Sequence, residues 1–246
     1  MALEALRRAI GLSRSRIPSV LLLLGAVSTG LFASIPGCGS GDAAAPPGGN
    51  PPVVEPTCVT IVRGEETGIA DAEVRSDEPD ANRGSSPLGE IGITDGGASR
   101  TLLLRFDLGV VPVDADLTSA SLDLHAATTS ATGDATIFVH SLTQPWDEAA
   151  VTYDSVSPAI EAQEAMSFSN GGGGFAGKIA VDFLSLVEGW HAGAVTNHGV
   201  ALSYHADLTP IGSSTYATGE ATIAEQRPVL TVCYVAGDGG PNCCLL

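Results

Sequence analysis

Thr101-Leu-Leu-Leu-Arg-Phe-Asp-Leu108 decides the fold. In an extended chain successive side chains point to opposite faces, so Leu102, Leu104, Phe106 and Leu108 share one face. The other face carries Thr101, Arg105 and Asp107, with Leu103 among them. This is the pattern of a strand laid against a core.

The same two-residue period recurs on either side. Between Leu117 and His125, Ala120, Leu122 and Leu124 alternate with Ser119, Ser121, Asp123 and His125. Between Ala135 and Leu142, Ile137 and Val139 alternate with Thr136, Phe138 and His140. Lys178–Phe183, Gly199–Tyr204 and Pro228–Tyr234 add further strands, and Cys58-Val-Thr-Ile-Val62 opens the series. Turn clusters such as Thr94-Asp-Gly-Gly97 and Gly171-Gly-Gly-Gly174 separate them. One stretch departs from the period: Phe183, Leu184, Val187 and Trp190 fall at helical spacing. Residues 57–236 therefore predict one all-β domain, an antiparallel β-sandwich of jelly-roll type with one short helix.

Composition agrees. Of 246 residues, 44% are hydrophobic but only 5% aromatic, so the core must rest on aliphatic side chains. Thirty glycines and 15 prolines suit many short strands and turns.

The first 37 residues read as an export signal of lipoprotein type. Arg7, Arg8, Arg14 and Arg16 precede an apolar run from Val20 to about Ile35, which is too short and glycine-broken for a spanning helix. Ile35-Pro36-Gly37-Cys38 follows and resembles a bacterial lipobox, which implies lipidation at Cys38. Residues 38–56, rich in Gly, Pro and Ala, read as a flexible tether, and 237–246 as a Gly/Cys tail. The expected location is the extracellular face of the cell envelope, with the membrane engaged only through the lipid; secretion is the alternative. After Cys38 the chain carries seven basic and 27 acidic residues, a net of −20. That surface repels nucleic acid and anionic lipid.

An exported chain meets an oxidising compartment. Cys58 lies in the first strand signal and Cys233 in the last, and sandwich ends are often neighbours. A Cys58–Cys233 disulfide is the expected pairing, with Cys243 or Cys244 as the rival partner of Cys58.

Several segments together resemble a known family: Asp71-Ala-Glu-Val-Arg-Ser76, Pro79-Asp-Ala-Asn82-Arg-Gly84, Arg100–Leu108, Trp146-Asp-Glu-Ala-Ala-Val-Thr-Tyr153, Val187-Glu-Gly-Trp190 and Asn197-His-Gly-Val-Ala-Leu202. In this order they are similar to the DNRLRE-type domain, akin to the family 96 carbohydrate-binding modules and disaggregatase-related repeats. The resemblance implies a β-sandwich that binds polysaccharide. Binding of acidic polysaccharides by such modules draws on basic residues, which are few here.

Among individual residues, Arg83, Asn82 and Tyr216 are the candidate carbohydrate contacts. Arginine offers a bidentate donor fork and tyrosine a flat face. Trp146 and Trp190 lie in apolar motifs and are expected in packing. Arg105 is expected in a local ion pair with Asp107. Asp71 and Asp80 are hard oxygen donors that suit a structural Ca²⁺, while Asn82 also fits a turn in which it bonds its own backbone. His191, His198 and His205 recur every seven residues, but Asn197 and Gly199 break any common helix. No Gly-x-Ser-x-Gly or His-Glu-x-x-His occurs, and adjacent Asp147 and Glu148 point oppositely on an extended chain. The sequence thus predicts a non-catalytic module for extracellular or cell-wall polysaccharide. A structural or adhesive envelope protein with protein partners is the alternative, and a polysaccharide hydrolase the third.

Overall fold

The computed structural model describes residues 54–64, 68–129, 135–205 and 212–236. The expected signal, Cys38, most of the tether and the tail with Cys243 and Cys244 lie outside the described residues.

Eleven strands dominate: β1 (Thr57–Ile61), β2 (Ile69–Arg75), β3 (Leu88–Ile93), β4 (Ser99–Phe106), β5 (Ala115–Thr129), β6 (Thr136–Leu142), β7 (Ile160–Ser169), β8 (Gly177–Asp182), β9 (Val200–Ser203), β10 (Gly212–Ala217) and β11 (Val229–Ala236). Among the described residues two α-helices interrupt them, α1 (Tyr153–Val156) and α2 (Leu184–His191), with two short 3₁₀ turns at Ser157–Ala159 and Ala224–Gln226. All pairings are antiparallel, and the strands form one curled sheet. One run is β2-β4-β9-β6-β7 and another is β1-β11-β5-β8; β3 and β10 pair with each other and join β4 to β5. The curl makes the expected sandwich.

Both runs contribute to the core between them. Leu102, Leu104 and Phe106 of β4 meet Leu122 and Leu124 of β5, Ile137 and Val139 of β6, and Leu230 and Val232 of β11. Those of β4, β5 and β6 are residues that alternation placed together on one face. Leu108 packs against the same core although β4 ends at Phe106. The opposite face of β4 is buried too. Leu103 joins Ala72, Val74, Leu142, Trp146, Val151, Val156 and Ala201 in a second apolar cluster. The segment from Gln144 through α1 supplies Trp146, Val151 and Val156, so it acts as a lid over the outer face of this run. A capping box starts α1, in which Thr152 and Ser155 exchange side-chain and backbone hydrogen bonds.

The expected helix is α2. Its Val187 and Trp190 are buried in the main core, and it packs on β5. Just before β9, Gly199 has φ +88, and a Cβ there would stand 2.3 Å from the Leu104 carbonyl oxygen. Only glycine lets the chain pass β4 so closely. At the opposite end of the sequence, β1 pairs with β11 so that Cys58 faces Cys233, and the two form a disulfide.

A carboxylate cleft beside β2 as candidate functional site

β2 alternates between the two cores. Ala70, Ala72 and Val74 face the outer cluster, and Ile69 the inner one. Asp71 and Glu73 share the Ile69 side and are 1% and 2% exposed. Buried carboxylates need partners. Glu73 has one close by, the guanidinium of Arg75. Asp71 draws its surroundings from distant segments. Its Oδ2 accepts from the Gly219 N–H at 2.7 Å, and its own N–H donates to Glu148 Oε1 at 3.1 Å. Arg63, just after β1, donates to Glu148 Oε1 at 2.6 Å. Its Nη2 stands 2.5 Å from Glu220 Oε1, in ion-pair range but not aligned as a hydrogen bond.

Asp71, Glu148 and Glu220 each bring a carboxylate oxygen within 4.8 Å of the others. One guanidinium faces three carboxylates. Burial raises the pKa of Asp71 to about 7, with repulsion from Glu220 and then Glu148 adding to it, while the Gly219 N–H opposes the shift. Asp71 Oδ1 is buried with no hydrogen-bond donor.

Glu148 is held in place from the 78–86 turn. Asn82 donates through Nδ2 to the carbonyls of Glu148 and Val151, at 2.8 Å each, and accepts from the Gly84 N–H at 3.4 Å. The expected local Asn turn is therefore present, and it also clamps the 148–151 loop. Gly84 is buried against that loop, and a Cβ there would stand 2.1 Å from the Glu148 carbonyl oxygen. Arg63, Asn82, Gly84, Ser85, Glu148 and Glu220 line a cleft of about 400 Å³. A larger hollow of about 510 Å³ lies between Ile69, Arg105 and Asn197. Its polar side chains are spent on backbone: Arg105 donates to the Trp146 carbonyl at 3.0 Å, and Asn197 to that of Phe106 at 2.8 Å. The smaller cleft gathers the chemistry.

The expected residues fall unevenly around it. Asn82 is on the cleft wall. Arg83 is next in sequence and pairs with Glu78. Tyr216 is 0% exposed in the main core, so it offers no face to a sugar; strand alternation in β10 carries it inward. Asp71 lies among carboxylates, but the exposed Asp80 is not one of them; Glu148 and Glu220 are. Trp146 and Trp190 are buried, as expected. Arg105 does not pair with Asp107: it bonds the Trp146 carbonyl and lies 5.3 Å from that ring's centroid, while Asp107 caps the Gly109 N–H. Asp147 turns away from Glu148 and accepts from the Ala149 N–H at 2.9 Å. His205 stacks on Phe138, and no histidine joins the carboxylates.

A model of carbohydrate-binding module family 96 matches residues 65–229, two-thirds of the chain and nearly all of the sandwich. The chain belongs to carbohydrate-binding module family 96. No curated protein matches it significantly. The matched span of this family 96 module contains Asp71, Asn82, Glu148 and Glu220; Arg63 stands just before it. Arg63 and Glu220 escaped the sequence reading, and Glu148 entered it only beside Asp147 as a hydrolytic carboxylate, because no local pattern announces the cluster. The bonds that gather them span 77, 85 and 148 residues of sequence.

Proposed function

We propose that this module binds neutral, hydroxyl-rich extracellular or cell-wall polysaccharide without cleaving it, held at the outer face of the envelope by lipid on Cys38. Membership of a carbohydrate-binding family carries the reading. The choice of a neutral ligand comes from the charges. Each of the seven basic residues after Cys38 is already engaged. Arg63 faces Glu148 and Glu220, Arg75 faces Glu73, Arg83 faces Glu78, Arg100 faces Asp77 and Lys178 faces Asp123. Arg105 and Arg227 bond the carbonyls of Trp146 and Ala221. A polyuronate would have to strip these cations from their partners. Sugar hydroxyls, by contrast, can donate to the carboxylates that line the cleft.

Hydrolysis needs an acid that reaches the glycosidic oxygen. Asp71 has the raised pKa, but at 1% exposure it cannot touch a substrate. The carboxylate cleft is thus read as a recognition surface.

A glycan array probed with the full chain tests this. Retention of neutral polysaccharides is expected, and Ser85→Trp, which places a large ring in the cleft, should weaken it about tenfold or more with the melting temperature unchanged. Binding to no glycan, or to acidic glycans alone, overturns the reading. Capture of envelope proteins in place of any glycan would mark an adhesive protein.

A further inference from the structure

We propose that Asp71, Glu148 and Glu220 together bind one calcium ion. This does not rest on glycan recognition; a calcium site would stand in a module with any ligand, or none.

Geometry is the first argument. One oxygen from each of the three carboxylates lies within 4.8 Å of the others. Calcium–oxygen bonds run about 2.3–2.6 Å, so oxygens at twice that spacing or less can touch a common ion. The second argument is an orphaned atom. Asp71 is 1% exposed and its Oδ1 is buried with no donor, although Oδ2 is satisfied by the Gly219 N–H. A carboxyl oxygen placed out of water without a partner is costly. Arg63 does not relieve it: its guanidinium is committed to Glu148 and Glu220.

Charge is the third. With all three carboxylates ionised, one guanidinium leaves two negative charges, which a dication cancels. The donor set decides which dication. It is all oxygen, with no histidine or cysteine, which suits a hard cation over zinc. Three carboxylates, each offering one oxygen, leave further positions to water from the adjoining cleft. Calcium tolerates such irregular, water-completed shells, whereas magnesium demands a near-octahedral one. The three ligands come from β2, the loop after Trp146 and the turn after β10, so the ion would tie three remote segments together.

The full chain, stripped of metal with chelator and returned to chelator-free buffer, is titrated with CaCl₂ and separately with MgCl₂ by calorimetry. One calcium per chain is expected, with magnesium at least about tenfold weaker and the melting temperature raised by calcium. Asp71→Asn and Glu220→Gln should each weaken calcium binding at least about tenfold, while Asp80→Asn leaves it unchanged. Circular dichroism shows that each variant is folded, and the wild-type titration stands whatever the variants do. Absence of calcium heat and of any melting shift in the wild-type chain overturns the proposal and leaves Arg63 as the cluster's cation. An equal loss in Asp80→Asn overturns the placement.

Discussion

Tyr216 and Asp71 are both polar side chains carried inward by strand alternation, with opposite consequences. The Tyr216 hydroxyl is buried beside Ser214 without a well-formed hydrogen bond, and burial raises its pKa. An unsatisfied buried hydroxyl costs about 1–3 kcal/mol, while the ring stabilises by filling the core. Tyr216→Phe should therefore leave the melting temperature unchanged or higher, and Tyr216→Ala should cost roughly 3–5 kcal/mol. A clear loss in the phenylalanine variant would mean that the hydroxyl is bonded. At Asp71 the polar group is what matters, since it anchors the Gly219 turn and faces Glu220. Residue-level reading reached Asn82 because its partner Gly84 is two positions away. It placed Tyr216 at a surface because Gly212-Ser-Ser-Thr-Tyr-Ala217 has too few apolar residues to reveal which face is inward.

Among elements, β4 and β5 were legible because long alternating runs leave one assignment for each side chain. Leu103 was the exception, on a face otherwise polar. Its burial comes from the lid that carries Trp146 and α1, which no period inside β4 announces. β3 and β7 were not legible either. β3 is Leu-Gly-Glu-Ile-Gly-Ile, half of it without an apolar side chain, and β7 pairs, among the described strands, only with β6 and is largely exposed. The lid meets the 78–86 turn through contacts so tight that they predict a sensitivity. Gly84→Ala would drive its Cβ into the Glu148 carbonyl, so the 148–151 loop must shift. A loss of roughly 1–3 kcal/mol in chemical denaturation is expected. Gly96→Ala, where a Cβ would meet only Thr94 Oγ1 at an ordinary 3.9 Å, should be close to neutral. Equal effects at the two sites would contradict the docking described here.

Over the whole described domain, the first and last strands meet. Among the described strands β1 pairs only with β11, and its apolar packing is confined to Val59 and Ile61, the rest being exposed. The Cys58–Cys233 disulfide, spanning 175 positions, closes the described domain at this seam. In the chain-entropy picture such a loop contributes about 3–5 kcal/mol, so Cys58→Ser with Cys233→Ser should lower stability by that order. An unchanged denaturation midpoint would show the seam to be redundant. This pairing was legible from two facts alone, a cysteine in the first strand and one in the last. The carboxylate cleft was not, because its residues become neighbours only when the sheet curls.

The cleft and the committed cations converge on one claim, that the module recognises neutral glycan and transforms nothing. Affinity electrophoresis of the full chain through gels containing neutral or acidic polysaccharides, with released reducing ends assayed in parallel, tests it most directly. Retardation by neutral polysaccharide with no new reducing ends is the predicted result. Free migration through every gel, retardation by polyuronates alone, or the appearance of reducing ends would contradict it.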